Sequence, residues 1–359
     1  MKILWSNHRD WENPRAGGAE RTIKEVSTRL VNMGNEVHLL TTGQRESEDA
    51  VTLGGVQIHR FRGSVLPHVA LIKLERTLEP DVVVDDLAHV VPWGSPWIGD
   101  APGVAFFRHL HKRTLSGQVS PLAARLLSTV ERFYPVIYRK FSFIVESKQS
   151  RSDLEALGVP RHRIHAIRPG VDLDGYRPGQ LSGQIQLVFF AGLRPYKRPE
   201  HAIRVVQSLH ETGLECGLIV VGGGPQESAL RGLSRNLGVE KHVRFAGRLS
   251  DTDLQAIVAS SWVNLNCSIA EGWGYSVLEA AAAGVPTVAY DVPGLREALG
   301  DGACGVVVQD GDVNALARGV AHIIEDRPGW TDRCRDFAEG FSWDRCASEW
   351  QSTLGLASA

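Results

Sequence analysis

Short apolar runs alternate with amphipathic stretches from one end of the chain to the other, and few architectures accept that order. Strand-like runs fall at 2–5, 37–40, 82–84, 104–107 and 143–145. They return at 187–191, 218–221, 243–245, 263–265, 287–289 and 306–308. Helical periodicity fills the gaps, as at 19–33, 200–210, 226–237 and 313–324. Strand–helix alternation calls for parallel sheets covered by helices on both faces. Two runs of about six strands predict two doubly wound sheets, and 359 residues suffice for both. Pro178, Gly179 and Gly183 break both periodicities, so the boundary is expected near 176–184. The first domain is then 1–178 and the second 184–341. Ser342 is a fitting N-cap for a closing helix, 342–359, expected to return to the first domain. Two such lobes leave a cleft at the carboxyl ends of their strands, where ligands bind.

Composition removes several function classes. Lys and Arg total 39 against 41 Asp and Glu, a net of -2, which gives no support for nucleic-acid binding. Hydrophobic residues reach 43%, enough for two large cores. Charge is unevenly placed: residues 1–180 carry a net +4 and residues 181–359 a net -6. Five cysteines, all in the second half, fit neither a zinc site nor a disulfide framework. Reduced, buried thiols in a cytosol are the expectation. Charge enters MKILWSNHRD before a signal sequence's apolar stretch can form, and no run approaches 18 apolar residues.

Four segments carry chemistry. In Ser268-Ile269-Ala270-Glu271-Gly272-Trp273-Gly274-Tyr275-Ser276, glycines make a loop after a strand and a helix opens near Tyr275. Free N–H groups there favour an anion such as a pyrophosphate. Glu271 and Glu279 flank that position and can accept hydrogen bonds from sugar hydroxyls; ordinary surface glutamates at a helix start fit the spacing equally well. In Arg194-Pro195-Tyr196-Lys197-Arg198, a lysine at a strand–helix junction can neutralise a leaving diphosphate, or belong to a solvated basic turn. Gly17-Gly18 opens the first long helix, and alone reads as a tight turn. Arg108-His109-Leu110-His111 ends a strand, with either histidine fit for a reacting centre, a metal or the surface.

Taken together these segments resemble the retaining GT-B glycosyltransferases of group 1, the phosphatidylinositol mannosyltransferase and sucrose synthase type. The resemblance rests on Glu271, seven residues, then Glu279, with Gly272 and Gly274 between. It extends through Ala280-Ala281-Ala282-Ala283-Gly284-Val285-Pro286 and Pro293-Gly294-Leu295-Arg296-Glu297. Val221-Gly222-Gly223-Gly224-Pro225 and Val243-Arg244-Phe245-Ala246-Gly247 continue it, over about 185–345 in order. Ser147 before a helix and Arg168-Pro169-Gly170-Val171-Asp172 tie in the first lobe more weakly.

The resemblance implies two Rossmann-like domains facing a central cleft, and transfer of a hexose-type sugar from a UDP- or GDP-sugar to a hydroxyl. It implies retention of configuration without a metal or other cofactor. Lys197, Glu271 and His109, with His111 second, become the catalytic candidates. Gly18, Gly274, Tyr275, Ser276 and Glu279 become donor-binding candidates, with Glu279 on the ribose. The family's arginine falls on Gly192 here, so Arg194 or Arg198 is expected to supply its charge. The acceptor is expected to be a carbohydrate or lipid-linked, and glycan, glycolipid or glycoconjugate synthesis the setting. A nucleotide-sugar epimerase or phosphorylase on the same scaffold is the alternative, and so is a non-catalytic nucleotide-sugar binding module.

Three features compete with this reading. Asp251-Thr252-Asp253 looks like a metal-binding pair, but Ser250 before it has capping-box spacing. Gly222-Gly223-Gly224 lacks the glycines of a dinucleotide fingerprint, with Glu227 in the third place. Residues 108–151 hold nine basic groups against Glu131 and Glu146. Leu122, Leu126, Leu127, Val130 and Phe133 there can share a helical face, packed on the first sheet or laid on a membrane surface.

Overall fold

A computed structural model describes residues 1–43, 50–63, 66–88, 91–111 and 120–358. The chain forms two compact α/β units. Among the described residues, one takes 1–111 and 120–170 together with the end of the chain from Ser342; the other takes Val171–Phe341.

The first unit is built on an eight-stranded sheet. Its strands are β1 (Lys2–Ser6), β2 (Glu36–Gly43), β3 (Ala50–Leu53), β4 (Val56–Arg62), β5 (Val82–Asp86), β6 (Gly103–Phe107), β7 (Ser142–Val145) and β8 (Ile164–Ala166). The order is β3-β4-β2-β1-β5-β6-β7-β8, parallel except for the β3–β4 pair. Strands β5 and β6 are buried at every position, as parallel strands covered on both faces must be. The closing helix, Trp343–Ser358, returns to this unit. Its Trp350 stacks on Trp5 at 4.8 Å between ring centroids and meets Phe106 edge-on at 4.9 Å. Ser342 caps it, its Oγ accepting the Asp344 N–H at 3.2 Å.

The second unit holds β9 (Gln186–Phe190), β10 (Gly217–Val221), β11 (Val243–Gly247), β12 (Val263–Asn266), β13 (Thr287–Tyr290) and β14 (Gly305–Val308). All pairs are parallel, in the order β11-β10-β9-β12-β13-β14. Val171 and Tyr176 are buried in this unit's core. All five cysteines are free and buried; burial pushes the Cys216 and Cys267 thiols up to about 12. The strand order reverses between β9 and β12, and in the first unit between β1 and β5. Doubly wound sheets take ligands at the carboxyl ends of such strands, because the flanking loops diverge there.

Candidate active site

At the β9–β12 reversal the structure gathers most of the second-unit residues singled out from sequence. The chain leaves β9, makes a tight turn at Pro195–Lys197, and enters the helix Pro199–Glu211. Across the gap it leaves β12, loops through Ser268–Gly274, and enters the helix Tyr275–Ala282. The Ile269 N–H donates to the Tyr196 carbonyl at 2.8 Å and joins the two loops. Lys197 Nζ bonds Glu271 Oε1, which also accepts from Ser268 Oγ at 2.7 Å. Burial alone would lower the Lys197 ammonium; the Glu271 carboxylate outweighs it, and the net shift is upward. The pair therefore keeps a charged lysine at the switch point.

Backbone geometry fixes these groups. Gly274 sits at φ +96° ahead of the helix, a conformation that suits glycine. Gly294 lets the Glu271 backbone approach: a Cβ there would lie 2.2 Å from the Glu271 carbonyl oxygen. Ser276 accepts from Asn266 Nδ2 at 3.1 Å, and Asn266 Oδ1 accepts the Ser268 N–H at 3.1 Å. Glu279 is buried one turn into the helix.

The two arginines separate clearly. Arg198 donates to the Cys267 carbonyl at 2.7 Å and the Ser268 carbonyl at 3.0 Å, pairs with Asp310, and lies over the Tyr290 ring. It ties strand ends together. Arg194 is exposed, and its side chain has no hydrogen bond or ion pair among the described residues.

The first unit places its own candidates at the ends of β1 and β6. Gly18 opens the helix Gly18–Asn32, and Glu20 Oε2 accepts the Gly17 N–H at 2.8 Å. The loop before it is held by Arg60, which grips Asp10 through two bonds at 2.9 and 3.1 Å and Glu12 at 2.8 Å. Arg108 is buried against Asp86 at 2.8 Å and donates to the Ala19 carbonyl at 3.1 Å. His109 follows it, partly exposed, with its ring 5.1 Å from that of His111. Both nitrogens of His111 face acceptors, Glu131 Oε1 at 3.1 Å and the Ala88 carbonyl at 3.0 Å.

Sequence reasoning missed Asn266, Ser268, Asp310 and Tyr290 as supports. The detectable signal was Val263-Asn264-Leu265-Asn266, where two asparagines interrupt a buried strand that otherwise reads apolar. The Asp251-Thr252-Asp253 pair opens a helix, with Ser250 Oγ accepting the Asp253 N–H at 3.1 Å. Among the described residues no group of three or more His, Cys, Asp or Glu is placed to hold a metal.

The basic stretch 108–151 departs from simple core packing. Lys112 and Arg113 lie outside the described residues. On the helix Pro121–Glu131 and the turn after it, Leu122 is 80% exposed, Leu126 70%, Phe133 54% and Val136 65%. Exposed Arg125, Arg132, Arg139 and Lys140 accompany them. Leu127 and Val130 are partly buried.

Comparison with known proteins agrees with this fold. Residues 177–340 match the family model Glycosyl transferases group 1, and residues 16–174 match Glycosyltransferase Family 4. A Mycobacterium tuberculosis GDP-mannose-dependent alpha-(1-6)-phosphatidylinositol monomannoside mannosyltransferase is 26% identical, over 88% of this chain and 87% of its own length. D-inositol 3-phosphate glycosyltransferase 2 of Catenulispora acidiphila is 28% identical over 94% and 88%. Among solved structures, sucrose-phosphate synthase from Thermosynechococcus elongatus superposes with a TM-score of 0.84 at 18% identity, covering 99% of this chain and 98% of that one. Anabaena HepE in complex with UDP and glucose gives 0.78 at 18%, covering 99% and 100%.

Proposed function

We propose that this chain, which belongs to the group 1 glycosyltransferases of GT-B architecture, moves a hexose-type sugar from a UDP- or GDP-sugar to a hydroxyl with retention of configuration. The observation that carries the reading is the Lys197–Glu271 pair at the β9–β12 reversal, beside the start of the helix Tyr275–Ala282. In this reading the diphosphate lies against that helix start, where the backbone of Gly274, Tyr275 and Ser276 presents N–H groups. Glu279 takes the ribose hydroxyls and Glu271 the sugar ring. As the bond from the anomeric carbon to the phosphate oxygen breaks, negative charge grows on the diphosphate. Lys197 and Arg194 stabilise it, each charged hydrogen bond contributing about 1.5–3 kcal/mol. Arg194 takes this role rather than Arg198, whose guanidinium is already committed to Cys267, Ser268 and Asp310. The acceptor hydroxyl attacks the same face, and its proton passes to the departing phosphate.

The acceptor, carbohydrate or lipid-linked, is assigned to the first unit, with Gly18 and His109 at its strand ends. His109 is preferred because His111 is held by Glu131 and Ala88. No described helix is long and apolar enough to cross a membrane. The reading instead gives the chain a cytoplasmic setting and peripheral contact with an anionic membrane face. What supports that contact is the set of exposed apolar side chains flanked by arginines at 122–140.

Stereochemistry is tested by letting water act as the acceptor. Proton NMR of the first-formed free sugar, before mutarotation, reads its anomer. The donor's own configuration, unchanged by a chelator, is expected. An inverted anomer, or turnover that vanishes with chelator and returns only with a divalent ion, overturns the reading.

A further inference from the structure

Between the first unit's edge strand β8 and the closing helix Trp343–Ser358 lies a wide-open surface groove of about 470 Å³. Its lining includes Arg151, His165, Arg345, Ser348, Glu349 and Ser352, none of which takes part in the chemistry above. Arg151 comes from the helix Lys148–Leu157, and its Nε is buried with no hydrogen-bond partner. A buried donor left without an acceptor is costly, and more so when charged. The His165 ring likewise has no hydrogen bond or ion pair among the described residues. Burial first, and then the neighbouring Arg151 charge, lowers its imidazole. Arg345, largely exposed, lines the groove from the closing helix. Glu349, one turn on, accepts from its Nε at 3.0 Å and offsets one positive charge. The charged lining, Arg151, Arg345 and Glu349, still sums to one positive charge.

We propose that this groove binds a phosphate-bearing small molecule through Arg151, His165 and Arg345, apart from the sugar-transfer site. The donor chemistry selects the class. Guanidinium forks match phosphate oxygens in pairs, and an imidazole adds a further N–H. A neutral sugar would leave the Arg151 charge without a counter-charge. The lining hydroxyls are already spent as donors, Ser348 Oγ to the Asp344 carbonyl at 2.8 Å and Ser352 Oγ to the Ser348 carbonyl at 3.0 Å. Recognition therefore falls to the cationic groups.

Calorimetric titration of the full chain with glycerol phosphate, at constant ionic strength, tests the proposal. Because a donor site also attracts phosphate, the Lys197→Ala chain is titrated in parallel. Binding of the probe is expected to persist in Lys197→Ala. Arg151→Gln and Arg345→Gln are expected to weaken it at least tenfold, with Arg151→Lys recovering part of the loss. Thermal unfolding without probe checks that Arg151→Gln stays folded; loss of probe binding at an unchanged Tm supports the site. No heat in the millimolar range overturns it. So does binding that survives Arg151→Gln but disappears in Lys197→Ala, since the phosphate would then occupy the donor site.

Discussion

Lys197 carries the heaviest chemical demand placed on any one side chain. If it meets charge that develops only as the glycosidic bond breaks, Lys197→Ala lowers kcat more than it raises KM, on the order of a hundredfold. Steady-state kinetics decide this; a pure KM effect would mean that the lysine binds ground and transition states alike. Glu279→Ala is expected to weaken donor binding by about 1.5–3 kcal/mol, read by calorimetry, because the proposed ribose contacts would be lost. A third residue tests the fold. Both oxygens of Glu75 are buried without a hydrogen-bond partner, and burial, then the charges of Asp85 and Asp100, push its carboxyl up to about 7. The folded chain thus holds this proton more tightly than the unfolded chain does. Its stabilising effect is full below the ordinary carboxylate range and is lost as pH rises to about 7. Glu75→Gln is therefore expected to be more stable than the wild type at pH 8 by about 1–2 kcal/mol, and to lose that advantage near pH 5. An equal gain at both pH values would contradict this. At this scale the sequence showed which residue types were present, but not which would be tied up. Arg194 and Arg198 look alike on paper; only the carbonyls of Cys267 and Ser268 distinguish them.

Elements were more legible than residues, because their signal is periodic. The strands β1, β2, β5, β6 and β7 and all six of the second unit coincide with apolar runs read in sequence. The β3–β4 hairpin and β8 were not read. Strand β4 alternates Val56-Gln57-Ile58-His59-Arg60, a half-buried pattern that a search for apolar runs passes over. Strand β8 has three residues and too little length for any period. The helix Pro121–Glu131 is where a hydrophobic face failed to mean burial. Apolar spacing shows that residues share a side, not what covers it. The triple change of Leu122, Leu126 and Phe133 to Ser is expected to abolish sedimentation with anionic vesicles and to leave Tm within about 2 °C, since surface changes rarely move stability by more than about 0.5 kcal/mol. Unaltered vesicle binding would remove the membrane role; a large fall in Tm would mean that these side chains support the fold.

Across the whole molecule the chain crosses from the first unit to the second and comes back, so its last helix completes its first core. Trp350 sits between Trp5 and Phe106, far apart in sequence and joined only in the fold. Trp350→Ala is expected to cost the first unit about 3–5 kcal/mol, seen as an early phase in denaturant unfolding. A single transition at the wild-type midpoint would contradict it. The start of that helix was readable from Ser342, while its contacts with Trp5 were not, because no local signal encodes a partner more than 300 residues away. The same limit holds for the proposed donor: strand order sets the place of the site, while the loop shape on which base and sugar would depend is not encoded locally. The central claim is that the second unit binds and activates a nucleotide sugar. Its most direct test is diphosphate release from a panel of UDP-, GDP- and ADP-sugars without acceptor, with Glu279→Ala beside the wild type. Slow release from one donor, lost in the variant, is the predicted result. Release that continues undiminished in Glu279→Ala would contradict the account.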